Sequence, residues 1–137
     1  MSQRVRLDAN VILRFLRNDE PKQAAAAAKL FQKAATGTVS LLVTAVTINE
    51  VFFALTSFYK LSQAEAAKVL LPLIRSGAIA FEQERRLLDS LNRVVAQGVD
   101  FGDAYLAASA AESGDQVASF DRDLRRFTDI ALYHLES

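Results

Sequence analysis

Short β-like runs alternate with segments of helical period along nearly the whole chain, and this alternation restricts the available folds more than any other feature. Arg4–Leu7 reads as a strand, and about Ala9–Arg17 as the helix after it. In the next helix, Pro21–Ala35, the residues Ala24, Ala27, Ala28, Phe31, Ala34 and Ala35 recur at i, i+3, i+4 and i+7. Lys29, Gln32 and Lys33 fall on its other side, and Gly37 supplies the stop. Val39–Val43 reads as a buried strand. Thr44–Tyr59 returns to helix, with Ile48, Val51, Phe52, Leu55 and Tyr59 on one face. Ser62 and Glu65 form a capping box that opens the next helix, which Pro72 is expected to kink or split before Gly77. Ala78–Phe81 reads as a short strand, Arg85–Ala96 as a helix through Leu88, Leu91 and Val95, and Asp103–Ala111 as a helix buried on most sides. Val117–Phe120 is strand-like, Arg122–Phe127 a short helix and Ala131–Tyr133 a last edge strand. Strands alternating with helices predict a three-layer α/β/α sandwich around a central, mostly parallel sheet. Such sheets bind ligands beyond the carboxyl ends of their strands. No linker or repeat divides the sequence, so residues 1–137 are expected to form a single domain.

Composition narrows the chemistry. There is no cysteine, hence no disulfide framework, no thiolate metal site and no cysteine nucleophile. The single histidine, His134, excludes a His-rich zinc site and argues against a Ser-His-Asp triad. Sixteen Lys and Arg balance sixteen Asp and Glu, so bulk charge does not hold this chain to nucleic acid or membrane. Met1–Asp8 carries Arg4 and Arg6 but not the apolar run of a signal peptide. The most apolar stretch, Val39–Ile48, is interrupted by Ser40, Thr44 and Thr47 and is too short to span a bilayer. A cytoplasmic protein with no membrane partner is therefore expected. Any metal or acid–base chemistry falls to carboxylates.

Four acids stand at strand-to-helix junctions. Asp8 ends the first strand, Glu50 lies in the second turn of the helix after Val39–Val43, Asp103 is in the first turn of the alanine-rich helix, and Asp121 directly succeeds Val117–Phe120. Each has a local explanation. Asp8 and Asp121 are good N-caps. Thr47 and Glu50 match an S/T-x-x-E capping box, and Asp100 can cap a helix that has Asp103 as its third residue. A parallel sheet, however, brings these junctions together, and clustered carboxylates repel one another unless a cation neutralises them. Oxygen-only ligands select a hard ion, Mg²⁺ or Mn²⁺ rather than Zn²⁺. Such an ion keeps waters and meets phosphates, so phosphodiester hydrolysis is the chemistry that fits. Asp8, Glu50, Asp103 and Asp121 are thus the expected catalytic and metal-binding residues, with their carboxylates converging on one pocket. Setting these four aside leaves sixteen positive charges against twelve negative. Arg14, Arg17, Arg122, Arg125 and Arg126 come after the acids and can guide a phosphate backbone, or can simply lie on solvated helix faces.

Four stretches carry a resemblance: RLDANVILRFLRNDEPKQ at 6–23, VTAVTINEVFFAL at 43–55, VDFGDAYLAASA at 99–110 and VASFDRDL at 117–124. In this order and spacing the chain resembles the PIN domain family and, within it, the VapC-type ribonuclease toxins of toxin–antitoxin systems. The resemblance covers essentially the whole chain. It implies a PIN-like parallel sheet flanked by helices and a Mg²⁺- or Mn²⁺-dependent endoribonuclease, a hydrolase acting on single-stranded RNA. Asp8, Glu50, Asp103 and Asp121 fall on the family's acidic quartet, and Asn10 and Ser119 on its polar supporting positions. Asp100 and Asp123 are nearby acids with outer-shell or capping roles. Ala9 stands where many relatives carry threonine, which removes a supporting hydroxyl but no ligand. The resemblance further implies a homodimer and a small VapB-type antitoxin as partner. An inhibitor arginine would pair bidentately with such carboxylates. Phe52, Phe53, Phe58 and Tyr59 crowd one helix; one face should enter the core, the other meeting a partner or being covered within the monomer.

Two further readings compete. LDAN at a strand end can be a phosphoryl-accepting aspartate, as in receiver domains or haloacid-dehalogenase-like phosphatases. A receiver needs an early acidic pair and a late lysine, yet no lysine occurs from Asp115 onward, and Asn10 stands where the phosphatases expect a second Asp. A catalytically weak PIN-like interaction module would keep its acids only as caps. Loss of a quartet member would favour that reading, and none is lost.

Overall fold

The computed structural model describes residues 3–136. Met1, Ser2 and Ser137, the outermost residues of the expected single domain, lie outside the described residues, as do the first two positions of the Met1–Asp8 stretch. Strands β1 (Gln3–Arg6), β2 (Val39–Val43) and β3 (Ile79–Phe81) form a parallel sheet in the order β1-β2-β3. The register sets Val5 beside Leu41 and Leu41 beside Ile79. Leu41, Val43 and Ile79 are buried, which explains why these short runs of Val, Leu and Ile hold as strands. Parallel neighbours need long crossovers. Helices α1 (Ala9–Arg17) and α2 (Pro21–Ala35) join β1 to β2, and α3 (Ala45–Ser57) and α4 (Gln63–Arg75) join β2 to β3. Then α5 (Glu84–Gln97) and α6 (Phe101–Ser113) lead to β4 (Gln116–Val117), a 3₁₀ turn (Arg122–Arg126) and β5 (Ala131–Leu132), which pairs parallel with β4. The expected α/β architecture is present: a parallel sheet flanked by helices. Among the described residues its hydrogen bonds form two ladders, β1-β2-β3 and β4-β5. No described helix is long and apolar enough to cross a membrane.

Local chemistry sets the boundaries. Asp8 caps α1 by accepting the Asn10 N–H at 3.2 Å. Pro21 opens α2 at the position where a missing N–H costs nothing. Ser62 and Glu65 form the expected capping box, with bonds of 3.1 and 2.9 Å. The expected break at Pro72 does not split α4, which runs through to Arg75. The proline lies in the last turn on an exposed position, where water can take the carbonyl left without an amide partner. The expected strand Val117–Phe120 shrinks to Gln116–Val117. Ser119 Oγ takes the Asp121 N–H at 2.9 Å, a local bond that competes with the ladder, and Phe120 points to solvent, 91% exposed.

Helix α6 is held in place by its small residues. Its face of Ala104, Ala107 and Ala110 is buried, as are Leu87, Leu91 and Val94 of α5. Small side chains let neighbouring helices approach closely. Ser90, buried in α5, satisfies its hydroxyl by donating to the Arg86 carbonyl at 2.7 Å. Truncating Leu91 in this packing would cost ~2–5 kcal/mol. The packing seats the N-terminus of α6 beside the loop after β4.

Candidate functional site

Asp100 is the N-cap of α6, and its Oδ1 accepts the Asp103 N–H at 2.8 Å. That bond fixes the first turn and holds the Asp103 carboxylate at the positive end of the helix dipole. The 3₁₀ turn is anchored by buried Leu124 and Phe127. Ahead of it runs a relay of local bonds: Ser119 Oγ accepts the Asp121 N–H, and Asp121 Oδ1 accepts the Asp123 N–H, each at 2.9 Å. Together they deliver two acids to a third. One carboxylate oxygen from each of Asp103, Asp121 and Asp123 lies within 4.8 Å of the other two.

Burial pushes the Asp103 carboxyl up to about 6, aided by the charges of Asp100, Asp121 and Asp123. Its Oδ2 is buried and finds no hydrogen-bond partner among the described residues. An unpaired oxygen of this kind is uncommon in a native fold and calls for an explanation. Arg126 approaches Asp123 at 3.5 Å and also donates to the Gln97 carbonyl at 2.8 Å. A single, half-exposed guanidinium does not balance four neighbouring carboxylates. The donor set is all oxygen, which suits a hard divalent cation, and Asp103, Asp121 and Asp123 are the residues that fit one.

A family model described as PIN domain matches residues 5–130. The chain belongs to the PIN domain family. No curated protein matches it. Membership implies nuclease-type function and a divalent metal, and the three-aspartate set is where this PIN domain can hold one.

The other expected residues divide between the edge of the site and internal contacts. Asp8 is exposed at the carboxyl edge of β1 and caps α1; it stands outside the three-aspartate set. Glu50 is also exposed and outside that set. It is not a capping residue, because the cap of α3 is Thr44, whose Oγ1 accepts the Thr47 N–H at 3.3 Å. The T-x-x-E box at 47–50 falls one turn inside the helix. Asn10 gives its backbone N–H to Asp8 and lines a cleft between α1 and α2. Ser119 and Asp100 each brace a cluster aspartate through its amide. Asp123, expected in an outer or capping role, stands in the set itself. The signal for it is the D-x-D spacing of Asp121 and Asp123 across one tight turn. Arg14 is engaged internally, donating to Gln23 at 2.8 Å and Tyr59 at 3.3 Å and pairing with Asp19 at 3.5 Å. Arg17 lies 5.1 Å over the Tyr59 ring. Arg122 and Arg125 are exposed and form no ion pair among the described residues.

Proposed function

We propose that this PIN domain, read as one unit over residues 1–137, is a Mg²⁺- or Mn²⁺-dependent endoribonuclease that cuts single-stranded RNA. The observation that carries the reading is Asp103 at a helix N-terminus: its buried Oδ2 has no hydrogen-bond partner among the described residues, and its carboxylate is clustered with those of Asp121 and Asp123. A divalent cation held there supplies charge stabilisation and an acidified water for phosphodiester hydrolysis. Asp103 and Asp121 bind it, joined in this reading by Asp8 and Glu50 and supported by Asp123. Asp100 and Ser119 fix the peptide amides of the two central aspartates and so decide where their carboxylates stand. Asn10 braces Asp8 through its amide. Arg122 and Arg125, without ion pairs among the described residues, draw in the phosphate backbone, while Arg14, Arg17 and Arg126 add to the same field from their internal contacts.

The finer role in this reading is that of a VapC-type toxin in the cytoplasm, dimeric and restrained by a small antitoxin whose arginine pairs with the pocket carboxylates. Val46 and Phe58, 70% and 74% exposed, leave apolar surface for such partners.

Incubation of end-labelled single-stranded RNA with the protein tests the activity. Cleavage is expected with Mg²⁺ or Mn²⁺, none with EDTA, and none by Asp103→Asn or Asp8→Asn. Undiminished cleavage by either variant, or cleavage in EDTA, refutes the assignment. The toxin role fails separately if the small protein encoded beside this one neither binds nor inhibits it. The dimer fails if light scattering gives the 15.0 kDa monomer mass.

A further inference from the structure

Phe53 projects from the outer face of α3 and is 71% exposed, although large apolar side chains normally find cover. It forms one wall of a cleft of about 420 Å³ between α3 and the start of α6, shared with Asn49, Gln63, Asp100, Phe101 and Gly102. The carboxamides of Asn49 and Gln63 make no hydrogen bond to any described residue. The floor is open at Gly102, and the backbone does not demand it. This glycine has no left-handed φ, and a Cβ there would meet Asp100 Oδ1 at an ordinary 3.5 Å. Asp100 belongs to both places. It lines the cleft and also accepts the Asp103 N–H at 2.8 Å, so one residue joins the cleft to the acid at the centre of the cluster.

An exposed aromatic face beside unpaired carboxamides and a carboxylate acceptor is the chemistry that holds an unpaired nucleobase. The ring stacks on the base, and the amides and acceptor meet the donors and acceptors along its edge. The cleft has no cation in its walls, which disfavours a phosphate or an acidic peptide as occupant. We propose that this cleft seats one unpaired base of the RNA strand, stacked on Phe53 with its edge at Asn49 and Gln63, while the attached backbone crosses the Asp103 cluster. The proposal rests on the ribonuclease reading and names the subsite that selects single strands over duplexes, whose bases are already stacked and paired.

The chain has no tryptophan, so Phe53→Trp introduces a single tryptophan that can be excited apart from the three tyrosines. Titrated in EDTA, where binding is read apart from cleavage, its emission should be quenched by a single-stranded oligoribonucleotide. Quenching should be several-fold weaker with an abasic oligoribonucleotide of equal length and absent with duplex RNA. In Mg²⁺, Phe53→Ala should raise KM for single-stranded RNA about tenfold, within the range measured for loss of one base stack. Its kcat should change far less, and Phe53→Tyr should restore KM. Equal quenching by the abasic strand, or an unchanged KM in Phe53→Ala, overturns the subsite. A reporter insensitive to RNA, together with a lower mass of Phe53→Ala in light scattering, would give the cleft to a second copy of the chain instead. Failure of the wild-type protein to cleave RNA sinks the ribonuclease reading, whereas the EDTA titration decides the cleft on its own.

Discussion

Two groups of aspartates in this molecule use the same chemical building block to opposite effect. Asp89 on α5 and Asp129 before β5 close on Arg93. Its Nε donates to Asp89 at 3.1 Å, its Nη1 to Asp129 at 2.8 Å, and its Nη2 also reaches Asp129. The Arg93 side chain is mostly buried, 12% exposed, and its guanidinium lies 5.2 Å over the Phe127 ring. The hydrogen bonds from Arg93 hold Asp129 below the ordinary carboxylate range. At the start of α6, burial and three neighbouring carboxylates instead push Asp103 up to about 6. The difference is a cation. Where the chain supplies one, the acids tie α5 to the segment before β5. Where it offers only the half-exposed Arg126, 3.5 Å from Asp123, the acids keep an unbalanced charge at a helix N-terminus that a cation from outside would offset. Strongly perturbed carboxylates without an internal partner are candidates for function on that ground.

The largest expected effect separates the two groups by activity. Asp103→Asn keeps the size of the side chain and removes the charge, so metal-dependent cleavage should fall by roughly 10²–10³ or more, as for loss of a key charge-stabilising group. Arg93→Ala should leave the rate per folded molecule within about twofold. Rates normalised to folded protein by circular dichroism provide the check, and a large rate loss in Arg93→Ala would show the two groups to be coupled.

Stability should rank them the other way. Arg93→Ala strips two carboxylates of their shared guanidinium and exposes the Phe127 ring, an expected loss of ~2–3 kcal/mol, below the full value for a buried pair because Asp129 is half exposed. Arg93→Lys should recover only part, since an ammonium cannot engage both acids in the same fork geometry. Urea denaturation of the three proteins measures this.

The third expectation concerns pH. The fold raises Asp103 from an ordinary 3.8 to about 6, so it favours the protonated form. The contribution of this group is complete below the ordinary value and lost as pH rises through about 6. Metal-free protein should therefore lose stability between about pH 4 and pH 6.5, by ~1–2 kcal/mol once the partial exposure of the side chain is allowed for. Asp103→Asn should flatten that slope, and saturating Mg²⁺ should offset it. Asp129 has the opposite sign. Its contribution is present above the ordinary value and disappears only as pH falls through its lowered one. Thermal melts in EDTA across this range distinguish the two, and a wild-type slope unchanged in Asp103→Asn would contradict the assignment.

The same contrast separates the residues whose roles are legible along the chain from those whose roles are not. The bounds of α1, α2 and β2 come from apolar period, a proline at the first helical position and a glycine stop, all local signals that packing then agrees with. Asp103 and Asp121 are legible as acids at junctions for the same reason. The illegible parts depend on competition between local bonds. Thr44 and Thr47 both begin plausible capping patterns one turn apart, and only the end of β2 at Val43 decides for Thr44. Val117–Phe120 has strand composition, but the Ser119 hydroxyl captures an amide there and turns the chain early. That same turn carries Asp123 to the cluster. The Arg93 clamp spans 36 positions to Asp129, a separation that no periodicity reveals.

The smallest expected effect lies within the clamp itself. Asp89 and Asp129 both bind Arg93, but Asp129 engages two of its nitrogens from another part of the chain, whereas Asp89 offers one oxygen from four residues away on the same helix. An i,i+4 pair of this kind adds only ~0.3–0.5 kcal/mol, and the Asp89 side chain is still 44% exposed. Asp89→Asn should therefore cost no more than that, because the amide oxygen can still accept from Nε. Asp129→Asn should cost several times as much, since it removes the charge that the fork geometry of Arg93 encloses. The difference also bears on the other group of acids. If Asp89→Asn proved as damaging as Asp129→Asn, the clamp would be a single cooperative network, and the raised Asp103 carboxyl would be harder to attribute to its lack of a cationic partner alone. Matched denaturation curves of the two variants decide this.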